Sequence, residues 1–181
     1  VVSYREEKNV DKDSQTPTYF AGKFLIDNWR WAGVPFYVRA GKRLAKKQTE
    51  IIITFKTPPL KLFGSACRKI LSNKLIFSIQ PEEKIALSIN MKYPGVENYP
   101  HPVNMDFNYS NLELNKLSAY ERLIIDCIRG DLTLFARQDE IEEMWEIIDP
   151  IINYFNNSKS NIQKYKAGSW GPVNGVWLEN E

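Results

Sequence analysis

Across its middle the chain alternates apolar and polar residues with period two, and near residue 118 it changes to a helical period. In 85–92, Ile85, Leu87, Ile89 and Met91 alternate with Ala86, Ser88, Asn90 and Lys92. In 103–110, Val103, Met105, Phe107 and Tyr109 alternate with Asn104, Asp106, Asn108 and Ser110. The run 75–80 places Leu75, Phe77 and Ile79 on one side, and in 50–55 Ile51, Ile53 and Phe55 share a face with Ile52 opposite. Successive side chains of a strand point to opposite faces, so this pattern predicts a sheet with one buried and one wetter face, as in antiparallel pairing.

Upstream, Thr18 to Trp31 is rich in aromatic and β-forming residues without helical periodicity and reads as a long strand. Gly33 and Pro35 punctuate it, Phe36 to Arg39 resumes extended structure, and Gly41 turns the chain. Downstream, Ser118 and Glu121 have capping-box spacing, Tyr120, Leu123, Ile124, Cys127 and Ile128 share a helical face, and Gly130 stops the helix. A second helix begins near Asp139 and Glu140, with Ile141, Met144, Trp145, Ile148, Ile151, Ile152 and Phe155 as its apolar face; Pro150 is expected to kink or divide it. The turn-rich segment 167–172 is expected to lie over the sheet or extend from it. Strands first and helices after predict an α+β fold, a large mainly antiparallel sheet with helices packed on one face.

The chain has 181 residues, 43% apolar, which suffices for one domain with a sizeable core. A net charge of +2 is too small to imply a polyanion-binding protein. No apolar run approaches the roughly 20 residues of a membrane span, and the charged start VVSYREEKNVDKDS lacks the apolar core of a signal peptide. The start also lacks Met, so a segment of a longer protein is expected. Cys67 and Cys127 have no metal-ligand spacing, and reduced thiols in the cytoplasm fit them best.

The charge is unevenly placed. Between Asp27 and Glu50 there is no acid, and that interval holds Arg30, Arg39, Lys42, Arg43, Lys46 and Lys47. Lys42 and Lys47, flanking a Gly-initiated turn, are placed so that both ammonium groups could meet one small anion. A solvated loop is the simpler reading of the spacing. Nucleic acid is a weaker one: Trp29, Trp31, Phe36 and Tyr37 offer stacking faces, but strand spacing would bury half of them. There is no phosphate-cradling glycine motif, and the single histidine, His101, is expected in an exposed loop, without the positioned partner a general base requires. The adjacent acids Glu6-Glu7, Glu82-Glu83 and Glu142-Glu143 read as solvated, and Asp27 and Asp126 as acceptors for local donors.

The stretch from Asp27 to Leu44, DNWRWAGVPFYVRAGKRL, closely resembles the signature of the glucose-6-phosphate dehydrogenase family. The likeness continues in order through 49–51, Gln80-Pro81, 105–109, 119–123, Asp149-Pro150 and the segment 167–172. The resemblance implies an enzyme that oxidises D-glucose 6-phosphate to 6-phosphoglucono-1,5-lactone with reduction of NADP. It implies that residues 1–181 are a single C-terminal substrate and dimerisation domain, with NADP bound by an N-terminal Rossmann domain absent from this chain. That absent portion also holds the family's general-base histidine, so no catalytic residue, cofactor ligand or metal ligand is expected here, and His101 is no substitute.

Carried over position by position, the family's substrate contacts fall on Lys42 and Lys47, with Gln80 as a further contact and Arg39 supporting the turn. Ala40 stands where Thr is common, and Pro17 where Glu is common. Some members hold a second, structural NADP through basic side chains; the matching positions are Gln48, Ile52 and Ser78, so that site is expected to be absent. The implied partners are glucose 6-phosphate and further copies of the chain, as a homodimer or homotetramer through the sheet, with no nucleic acid and no membrane. The rival reading is a catalytically silent oligomerisation module, which is what the chain by itself is expected to be.

Overall fold

The computed structural model describes residues 3–57, 59, 71–92, 94–96, 100–112, 117–157 and 163–172. Cys67 and Tyr99 lie outside them. Six strands and two helices follow in order: β1 (Tyr19–Leu25), β2 (Pro35–Gly41), β3 (Thr49–Thr54), β4 (Lys74–Gln80), β5 (Lys84–Lys92), β6 (Pro100–Asn108), α1 (Ala119–Arg129) and α2 (Gln138–Asn157). The order is that of an α+β chain. The strands divide between two antiparallel sheets, a β1–β2 ribbon and a four-stranded meander β3-β4-β5-β6, rather than joining in one. Two compact units result, Val1–Lys46 with Lys116–Glu181, and Lys47–Asn115.

In the meander, register turns the period-two pattern into rows. Ile51, Phe77, Ile85 and Phe107 are successive partners across the four strands, and Ile53, Leu75, Leu87 and Met105 form the next row on the same face. Each apolar cross-strand pair contributes about 0.2–1 kcal/mol. On this face Ile51 is 53% exposed and Met105 54%. His101, expected in a loop, lies on β6 opposite Met91, because the last pairing extends back to Pro100.

In the other unit, β1 pairs with β2 from Tyr19↔Gly41 to Leu25↔Pro35. The long strand expected over 18–31 therefore stops at Leu25. Asn28 decides this: its Oδ1 accepts the Trp31 N–H at 2.8 Å and its carbonyl accepts the Ala32 N–H at 2.9 Å. An asparagine that caps its own turn competes with strand pairing and wins over the β-propensity of the neighbouring tryptophans.

Helix α1 begins and ends as its residues predict. Ser118 Oγ accepts the Glu121 N–H at 3.3 Å, Glu121 Oε2 accepts the Ser118 N–H at 2.6 Å, and Gly130 closes the helix at φ 72°. Its expected apolar face is open instead of buried, with Tyr120 80% and Ile128 81% exposed. The buried residue of α1 is Asp126, which accepts from Arg122 Nε at 2.8 Å. Helix α2 runs unbroken through Pro150, and Trp145 and Phe155 on its apolar side are exposed. A two-stranded ribbon offers too little surface to cover two amphipathic helices.

Candidate functional site

The acid-free interval runs from the connection after β1 through β2 to the start of β3. Strand β2 delivers Gly41, and the Lys42 N–H donates to the Thr18 carbonyl at 2.8 Å, extending the β1–β2 ladder by one rung. Arg43 then takes a left-handed conformation at φ 50°, unusual for a residue with a side chain, and the chain turns away. Such a turn persists only where its surroundings hold it.

Three groups hold it. Glu7 Oε1 meets Arg43 Nη2 at 2.9 Å. The segment 163–172 runs beside the turn: the Gly168 N–H donates to the Arg43 carbonyl at 2.8 Å, and the Ala45 N–H donates to the Ser169 carbonyl at 3.1 Å. Tyr165 places its hydroxyl 2.7 Å from the Lys42 carbonyl and 3.0 Å from the Thr18 carbonyl, which share its single proton. The Tyr165 ring tilts against Tyr19 with centroids 5.3 Å apart. The segment expected to lie over a sheet or extend from it thus lies on the ribbon.

These contacts separate the cations by residue type. Arg30 lies over the Trp31 ring at 5.5 Å, Arg39 over the Trp170 ring at 4.8 Å, and Arg43 is paired with Glu7. The planar guanidinium suits stacking and fixed pairing. Lys42, Lys46 and Lys47 are exposed and make no ion pair among the described residues. Arg39 and Arg43 hold the turn, and the lysines remain open to an incoming anion.

The three expected contact residues are divided between the two units. Lys42 belongs to the unit of the ribbon. Lys47 and Gln80 belong to the other unit: Lys47 precedes β3 by two residues, and Thr49 at the start of β3 is the register partner of Gln80, which ends β4 in an exposed position before a cis peptide to Pro81. The sequence reading missed Tyr165 altogether. No local pattern marks it, since its partners are more than a hundred residues away in the chain.

Of the positions matching a second NADP, Gln48 Nε2 donates to Glu50 Oε2 at 3.0 Å, Ile52 brings no charge, and Ser78 stands between Glu50 on β3 and Lys84 on β5. Among the described residues no three His, Cys, Asp or Glu side chains gather as metal ligands. A shallow depression of about 500 Å³ at the start of α2 is lined by Arg137, Gln138, Asp139 and Glu142; Arg137 Nη2 pairs with Asp139 Oδ2 at 2.7 Å, and Gln138 Nε2 donates to Glu142 Oε1 at 2.8 Å. No helix among the described residues is long and apolar enough to cross a membrane.

The family model for the glucose-6-phosphate dehydrogenase C-terminal domain matches residues 1–179. Glucose-6-phosphate 1-dehydrogenase of Chlamydia pneumoniae is 49% identical over 177 residues, covering 95% of this chain and 35% of the relative. That of Bacillus subtilis is 43% identical over 173 residues, with 95% and 35% covered. A solved glucose-6-phosphate dehydrogenase in complex with its substrate glucose-6-phosphate superposes with a TM-score of 0.83 at 36% identity, over 95% of this chain and 35% of that one. The Mycobacterium avium enzyme superposes with a TM-score of 0.77 at 38% identity, over 93% of this chain and 35% of that one. The chain thus spans about a third of the length of these relatives.

Proposed function

The chain belongs to the glucose-6-phosphate dehydrogenase C-terminal domain family, and from that premise we propose that it forms part of the substrate wall and the self-association surface of an NADP-dependent glucose-6-phosphate dehydrogenase. In this reading the whole enzyme oxidises C1 of D-glucose 6-phosphate to the lactone in the cytoplasm. NADP and the general base belong to an N-terminal Rossmann domain outside residues 1–181. Lys42 and Lys47 bring positive charge to the sugar phosphate, Gln80 offers an amide, and Arg39 holds the turn from behind. The reading is carried by one observation: Arg39 and Arg43 are engaged in holding the turn, while Lys42, Lys46 and Lys47 make no ion pair among the described residues. An exposed ammonium on a fixed backbone suits a mobile, doubly charged phosphate.

Self-association as a homodimer or homotetramer through the meander is supported by the apolar rows that stand half exposed on one face of β3–β6. An apolar sheet face of this kind calls for a cover.

The test is steady-state NADP reduction by the full-length enzyme and its Lys42→Ala and Lys47→Ala variants. Removing a charge-assisted contact predicts a KM for glucose 6-phosphate raised by roughly tenfold or more. Unchanged kinetics in both variants would return the turn to a solvated loop. Residues 1–181 alone are expected to turn over nothing and to self-associate in sedimentation; turnover by them alone would move the chemistry into this chain.

A further inference from the structure

We propose that Tyr165 is a positioning residue for Lys42, its hydroxyl holding the backbone from which that lysine reaches the substrate. The inference rests on the assignment of Lys42 to the substrate wall. Both backbone polar groups of Lys42 are engaged: its N–H donates to the Thr18 carbonyl at 2.8 Å, and its carbonyl accepts the Tyr165 hydroxyl at 2.7 Å. The same hydroxyl lies 3.0 Å from the Thr18 carbonyl, so one side chain ties the last rung of the ribbon to the first residue of the turn. One residue on, the Arg43 carbonyl is taken by the Gly168 N–H, and Arg43 itself is held at φ 50°. With its backbone fixed on both sides, Lys42 has only side-chain torsions left to order when it meets a ligand.

Without the hydroxyl, the Lys42 carbonyl loses its protein partner while the Tyr165 ring can keep its place against Tyr19. The turn then spends part of its time outside the binding conformation, and apparent affinity falls by the fraction that remains competent. Once substrate is bound the complex is the same. The effect therefore falls on KM and leaves kcat nearly unchanged.

The experiment compares Tyr165→Phe, Lys42→Ala and the double variant of the full-length enzyme in glucose 6-phosphate kinetics. Tyr165→Phe is expected to raise KM about threefold to tenfold, the range that loss of one ordinary hydrogen bond supports, with kcat within about twofold. In the Lys42→Ala background it should add nothing, because there is no lysine left to position; a purely structural role would not show this dependence. The proposal is overturned if Tyr165→Phe leaves KM unchanged while Lys42→Ala raises it, or if the two effects multiply in the double variant. If Lys42→Ala alone leaves KM unchanged, the substrate-wall assignment fails first, and the two failures are told apart. Should Tyr165→Phe not fold, Trp170→Leu loosens the same clasp from the Arg39 side and is expected to give the same Lys42-dependent rise.

Discussion

The Arg39 guanidinium lies 4.8 Å from the centre of the Trp170 ring, joining strand β2 to the segment that clasps the basic turn. Lysine at position 39 would keep the charge and lose the planar stack. Arg39→Lys should lower stability by about 0.5–1 kcal/mol, the range of a partly exposed cation–π contact, read as a shifted urea midpoint. An unmoved midpoint would mean that the ring and the cation are neighbours without energetic coupling.

Tyr19 explains two glycines. A Cβ at Gly41 would come within 2.9 Å of its ring, and one at Gly171, where φ is +115°, within 2.5 Å. Gly41→Ala meets crowding alone and should cost about 1–3 kcal/mol. Gly171→Ala adds a backbone conformation that L residues rarely adopt and should cost more than Gly41→Ala. Thermal unfolding of the two variants ranks them, and the reverse order would remove Tyr19 as the common cause.

The box that starts α1 gives a stability and a pH dependence. Ser118→Ala should destabilise by about 1 kcal/mol. The Ser118 backbone N–H, and after it the Ser118 hydroxyl, hold Glu121 below its ordinary value of 4.5. Because the folded value is the lower one, its contribution is complete above 4.5 and is lost as pH falls through the depressed value. Asp131, bonded by Thr133, and Asp139, bonded by Arg137, shift in the same direction, so the difference between variant and wild type isolates Glu121. Acid titration of urea midpoints should show a shallower loss in Glu121→Gln; parallel curves would remove the carboxylate from the cap's energetics.

Pro150 lies inside α2 with no N–H to give the preceding turn, yet the helix is continuous. Proline within a helix costs about 3 kcal/mol relative to alanine. Pro150→Ala should therefore stabilise the protein, by about 1–3 kcal/mol once the greater freedom of the unfolded chain is allowed for. A lower melting temperature would show that the proline serves packing that outweighs the missing bond.

Local rules made part of this legible. The boundaries of α1 follow from Ser118, Glu121 and Gly130, whose partners lie within four residues, and the antiparallel strands β3 to β6 from alternation, whereas the division of the strands into two sheets does not. The strand ending at Leu25 and the placement of His101 on β6 were misread, because an asparagine cap and the extent of a pairing partner outweigh the composition of the segment itself.

The sequence by itself determined the elements, their α+β order, the acid-free run of cations and the family, since these are properties of neighbouring residues and of fixed motifs. Only the tertiary structure decided which cations are engaged and which are open. Arg39 meets Trp170, Arg43 meets Glu7, and Tyr165 reaches the Lys42 carbonyl across long separations in the chain. Contacts of that kind leave no periodic trace, because they are selected by the closure of the whole unit and not by the conformational preference of any one segment.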